Sequence, residues 1–183
     1  LEMRGSQSTL TIESGKVMGL GGTACNSSYG IYAQTLIVSS SADVTGIAGT
    51  ANGSGFNKQS CGVYCLNSAS VNGSLTAVGA YAKGGLSYGI ETRYSSLNVF
   101  GGTVVAQGGK STNYDSYGVC VDDGTVALTG GLLVASSGGC GTASGDVSQA
   151  LNKVPTGGTL LTGAQTGKFA VYGPSDTYTV LNS

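Results

Sequence analysis

The chain has 183 residues, of which only 9% are charged, with a formal net charge of -1, no His and no Trp. The length suffices for one domain with a real core, while the sparse charge excludes a long acidic or basic tail and a basic face that tracks phosphates. The 33 glycines show no three-residue period, which excludes collagen, and no apolar run approaches the roughly 20 residues that span a bilayer.

In chain order, residues 1–7 open with Leu1-Glu2-Met3-Arg4-Gly5-Ser6 and read as a vector-derived or capping segment. The expectation is a module cut from a longer parent chain with further domains. From residue 8 two phrases alternate. The looser one first runs from Thr9 to Gly22, with Leu10, Ile12, Gly15, Val17, Gly21 and Gly22. The tighter one follows as Ser28-Tyr29-Gly30-Ile31 and returns as Ser60-Cys61-Gly62-Val63, Ser87-Tyr88-Gly89-Ile90 and Ser116-Tyr117-Gly118-Val119, its glycines 32, 27 and 29 residues apart. Between these lie further loose copies at Leu36 to Gly49, Ala69 to Gly79, Ser96 to Gly109 and Thr125 to Gly139. The Leu36 copy is one residue longer between its apolar pairs, and the Ala69 copy one shorter. A phrase that recurs at a near-constant period marks a solenoid of stacked units.

Inside each unit the apolar period is two: Leu97 and Val99 flank Asn98, and Val104 and Ala106 flank Val105. Alternation of this kind predicts short strands, and the paired glycines predict turns between them. The expected fold is all-β: a right-handed parallel β-helix of about five coils over 8–143, right-handed because parallel crossovers are. Residues 144–183 read as a C-terminal cap or a linker to a further domain. Within them 144–155 predicts a short helix or loop, and strand character resumes with Leu160, Phe169, Val171, Tyr178 and Val180. Exposed terminal strands need such cover.

Counting by two through the tight phrase predicts an interior ladder of Ile31, Val63, Ile90 and Val119, with Tyr29, Cys61, Tyr88 and Tyr117 at its inner edge. Leu10, Leu36, Leu97 and Val126 form a second ladder. The outward row is then Tyr32, Tyr64, Glu91 and Cys120, and the repeated Gly faces out at a tight corner or bend. The repeated Ser is expected to bond the backbone at the turn. Cys61 and Cys65, about 13 Å apart on one strand, cannot bridge and read as buried thiols. Cys25 and Cys140 fall in loops and Cys120 faces out; unpaired thiols are expected, with one disulfide between loop cysteines as the alternative.

Chemistry is sparse. Without His, and without paired Cys ligands, no metal or cofactor is expected. Asp122-Asp123 is the best acid–base candidate, but adjacent strand residues point to opposite faces, and Asp-Asp-Gly is an ordinary turn. The aromatic residues are more informative. Tyr32 and Tyr64 occupy equivalent outward positions about 4.8 Å apart, followed by Glu91; an exposed Tyr suits the mixed surface of a sugar. Tyr32, Tyr64 and Glu91 are the first candidate ligand row, and Phe56, Tyr81 and Tyr114, in or near turns, the second. The alternative is that Tyr32 and Tyr64 stack only to support the sheet.

The stretch Ser28-Tyr29-Gly30-Ile31-Tyr32-Ala33, with Leu97 to Gly109, resembles a family of repetitive bacterial surface proteins, over about residues 8 to 139. The resemblance implies a right-handed β-helix of the pectate-lyase-like kind, secreted or attached to the bacterial cell surface, adhesin-like, some relatives binding polysaccharides. The enzymes of that superfold carry Asp clusters with Arg, Lys or His. Here the arginines are Arg4 and Arg93 alone, so no catalytic residue is carried over. The expected function is therefore a non-catalytic secreted or cell-surface module that binds a polysaccharide or host glycan or serves as an adhesive spacer. A polysaccharide lyase or hydrolase and a purely structural stalk are the alternatives.

Overall fold

The computed structural model describes residues 1–3, 8–140 and 146–174, and among them every regular element is a strand. The loose phrase opens the chain as one long strand, β1 (Thr9–Leu20). The first coil is β2 (Ser28–Ala33) and β3 (Thr35–Ile47). The second is β4 (Ala51–Cys65), β5 (Ala69–Val71) and β6 (Ser74–Val78). The third is β7 (Ala82–Thr92), β8 (Leu97–Val99) and β9 (Thr103–Gln107). The fourth is β10 (Ser116–Val121), β11 (Val126–Leu128) and β12 (Leu132–Ser136). Then come β13 (Ser148–Leu151), β14 (Gly158–Gly163) and β15 (Phe169–Pro174).

Equivalent strands of successive coils pair in parallel, so the chain is an all-β parallel solenoid of about five turns. The four tight phrases, with β13 as a fifth strand, form a sheet in the order β13-β10-β7-β4-β2. The loose phrases supply two further faces. The first half of β3 leads to β5, β8 and β11, and its second half to β6, β9 and β12. Turns at Gly102 and Gly131, with φ of 65° and 73°, separate the two halves in later coils, a conformation that glycine adopts without strain. The extra residue of the Leu36 copy is absorbed by a register shift between β1 and β3 at Ile12/Ser14.

Both predicted ladders are interior. Ile31, Val63, Ile90 and Val119 are in register and fully buried. Leu10, Leu36, Leu97 and Val126 share a second column, in which Ala69 fills the place between Leu36 and Leu97. The solenoid also extends beyond residue 143. Of the 144–155 segment read as a loop or helix, 144 and 145 lie outside the described residues, and within the rest β13 pairs with β10, Ser116 with Ser148 and Val119 with Leu151, placing Leu151 on the Ile31 ladder. β15 lies antiparallel to β12 and to β14. Tyr178 and Val180 lie outside the described residues.

The face assignment at the tight phrase needs correction. The repeated Gly points inward, not outward. A Cβ on Gly89 would sit 2.5 Å from Gln107 N, and one on Gly118 2.6 Å from Ser136 N; Gly30 and Gly62 approach Ile47 N and Val78 N more closely still. None of the four has a positive φ, so close approach of two walls selects glycine, rather than conformational freedom. Gly and the following Ile or Val both turn inward, and counting by two slips by one residue there. Tyr29, Cys61, Tyr88 and Tyr117 therefore lie on the outer face, not at the inner edge: Cys61 and Tyr88 belong to an outer cluster with Tyr64 and Cys120, against which Tyr29 and Tyr117 pack.

The repeated Ser does bond the turn backbone. Ser87 Oγ donates to Ala80 O at 2.8 Å and accepts from Gly109 N at 2.8 Å. Ser28, Ser60 and Ser116 repeat the arrangement one coil apart. Each hydroxyl thus ties two successive coils at one corner and satisfies backbone groups that burial would otherwise leave unpaired.

Candidate functional site

Because of the slip at glycine, the outer face of the five-stranded sheet carries two aromatic rows instead of one. Tyr32 pairs with Tyr64, Tyr64 with Glu91, and Glu91 with Cys120, as the spacing predicts. Tyr29, Cys61, Tyr88 and Tyr117 form the second row beside them. The rings meet: Tyr32 stacks on Tyr64 with centroids 5.1 Å apart at 19°, and Tyr29 contacts both, at 5.3 Å and 5.2 Å. Tyr88 and Tyr117 stack at 6.1 Å. Contacts of this geometry add to the burial of apolar ring area.

The consequence is a second correction. The row Tyr32, Tyr64, Glu91 is not a solvated platform. Tyr64 is 3% exposed and Glu91 5%; Tyr32 is half-buried. Cys120 likewise leaves the coil but is buried, its thiol 3.5 Å from Asp122 Oδ1 and accepting from Asn152 Nδ2 at 3.4 Å. Of the second candidate set, Tyr114 packs against the outer cluster, whereas Tyr81 is exposed with its hydroxyl 2.7 Å from Thr112 Oγ1. Phe56 lies on β4, and its side chain is outside what is described.

Between the rows lies a cavity of about 150 Å³. Tyr29, Tyr64 and Tyr88 line it, Glu91 and Gln59 contribute its buried polar groups, and Arg93 and Asp122, both exposed, stand at its mouth. Gln59 Nε2 donates to the Tyr29 hydroxyl at 3.2 Å. The Arg93 guanidinium stands beside the Tyr64 hydroxyl and lies 5.8 Å from the centroid of the Tyr94 ring. Glu91 Oε2 is buried and has no hydrogen-bond partner within the protein. Burial, then the Asp122 carboxylate, push the Glu91 carboxyl up to about 8, against the opposing pulls of Arg93 and the Gln59 amide. Burial also raises the Tyr64 hydroxyl to about 12 and the Cys61 and Cys120 thiols well above their ordinary range. At neutral pH the buried part of the pocket is therefore a set of neutral donors and acceptors, with Arg93 and Asp122 at its rim.

Asp122 and Asp123 sit in the bend after β10, as a turn sequence should. The one-coil offset brings Asp122 to Glu91, 31 residues earlier. All five cysteines are free thiols: Cys61, Cys65 and Cys120 buried, Cys140 partly exposed and Cys25 exposed. Among the described residues no cluster of three or more acidic, Cys or His side chains could hold a metal ion. Gln59, Tyr29 and Tyr88 are pocket residues that the sequence reading did not select. No protein-family profile matches the chain, and no curated protein and no solved structure matches it.

Proposed function

We propose that this chain is a non-catalytic glycan-binding module, a right-handed β-helix of the pectate-lyase-like kind carried on a secreted or surface-attached bacterial protein. Its ligand site is the cavity over Glu91, and the segment after 144 closes the C-terminal end of the coils. One observation carries the reading: a cavity of about 150 Å³ that combines the rings of Tyr29, Tyr64 and Tyr88 with the neutral polar groups of Gln59 and Glu91. Sugars present apolar ring faces edged by hydroxyls, and such a lining matches both. The cavity is small, so it takes one sugar unit and leaves the rest of a chain on the sheet surface. A glycan array probed with the intact protein tests this. Binding to a defined oligosaccharide class is expected, weakened at least about tenfold by Tyr29→Ala, as for truncation of an aromatic anchor. An array without hits refutes it.

A second reading, hydrolysis, is favoured by one specific observation. Glu91 holds its proton at neutral pH beside the carboxylate Asp122, the division of roles that glycosidases use. Release of new reducing ends from an array hit would establish it, and an unchanged oligosaccharide after prolonged incubation would exclude it.

A further inference from the structure

We propose that the Glu91 cavity is an ammonium subsite, and that the glycan it takes carries free amino groups of the glucosamine type. The inference rests on the glycan-binding reading and narrows it. Glu91 lines the cavity, and its Oε2 is buried without a donor from the protein. A buried polar atom of this kind calls for a partner, and a carboxylate in low dielectric calls for a cation. The rings of Tyr29, Tyr64 and Tyr88 line the cavity as well, and an aromatic ring attracts a cation placed over its face.

The groups around Glu91 leave that role open. From β4 come Cys61 and Tyr64, from β2 Tyr29, from β10 and its bend Cys120 and Asp122, and from the end of its own sheet segment Tyr88 and Arg93. Arg93 supplies the positive charge here, but it is exposed, so water screens it, and its guanidinium stands by Tyr64 and Tyr94. Two carboxyl groups against that single exposed guanidinium disfavour a uronate. A neutral sugar would leave Glu91 protonated. A sugar ammonium instead pairs with the carboxylate, and Glu91 releases its proton to solvent on binding.

That proton is the readout. Near pH 6.5 a sugar amine, comparable to an α-amino group with a pKa of about 7.7–8.0, is charged, and Glu91 is protonated. Calorimetric titrations at that pH, in two buffers of different ionisation enthalpy, would use β-1,4 tetramers of glucosamine, N-acetylglucosamine and glucose on the intact protein. The glucosamine tetramer is expected to bind about tenfold tighter than either neutral tetramer and to release close to one proton. Glu91→Gln should remove both the preference and the proton release. Asp122→Asn, which leaves the buried wall untouched, should lower the preference severalfold and serves if the first variant does not fold. Equal binding of the three tetramers, or a preference retained without Glu91, overturns the ammonium subsite while leaving glycan binding intact. Binding of none of them, with a blank array, removes both.

Discussion

Replacing Glu91 by Gln should stabilise the protein, and by an amount that depends on pH. In the folded state the carboxyl titrates at about 8 instead of its ordinary 4.5, a gap of about 3.5 pH units. Below pH 4.5 the group is protonated in both states and costs nothing. Between 4.5 and 8 the unfolded chain has lost the proton that the folded protein keeps, so stability falls by about 1.4 kcal/mol per pH unit. Above 8 the full cost is present, roughly 5 kcal/mol. Glutamine resembles the protonated acid in shape and carries no charge. The two proteins should thus unfold alike near pH 4.5, differ by about 3 kcal/mol at pH 7 and diverge to roughly 5 kcal/mol at pH 9. Urea denaturation from pH 4 to 9, followed by circular dichroism and tyrosine emission together, measures this, and subtracting one protein from the other cancels the titrating groups that do not interact with Glu91. A difference that stays constant across the range would show that Glu91 ionises as freely folded as unfolded, and that it is not enclosed.

Further outcomes follow from the corners and the thiols. Ser87→Ala leaves Ala80 O and Gly109 N without their buried hydroxyl and should cost about 1–3 kcal/mol in the same urea assay. Gly89→Ala forces a methyl against the backbone at Gln107 and should cost at least about 1–3 kcal/mol, whereas Gly22→Ala, which meets nothing within 4 Å, should be nearly silent. Tyr64→Ala removes a buried ring packed against Tyr29 and Tyr32 and should destabilise by about 3–5 kcal/mol, as large-to-small changes in packed sites do; an unchanged melting temperature would return Tyr64 to the solvent. Thiol labelling of the folded protein should modify Cys25 first and Cys140 more slowly. Cys61, Cys65 and Cys120 should react only in denaturant.

The coil architecture is readable in the sequence because every coil repeats the same physical requirement. Ile31, Val63, Ile90 and Val119 are β-branched, in register, and have no alternative wall to face. Cys65 reads correctly for the same reason. The outer layer is not readable by periodicity, because counting by two presumes an unbroken pleat. Gly30 and its equivalents break it: two consecutive residues turn inward where the walls nearly touch, and that contact is between segments far apart in sequence. Tyr29 and Tyr88 change face as a result. The burial of Tyr64 and Glu91 also depends on partners that only the second aromatic row supplies. A signal was present nonetheless, since an acid aligned between Tyr64 and Cys120 has an aromatic ring and a thiol, and no basic residue, as neighbours in its own row. Asp122 reads as a turn residue and is one; its proximity to Glu91 comes from stacking one coil on the next.

The most direct test of an enclosed, ligand-ready carboxyl group on this sheet is to titrate the Glu91 side-chain carbon by NMR in the otherwise unaltered protein, with Glu91→Gln used for assignment. A midpoint near 8 is expected, displaced downward when the glucosamine tetramer is added. A midpoint near 4.5, unmoved by any of the three tetramers, would contradict both the burial of Glu91 and the site built around it.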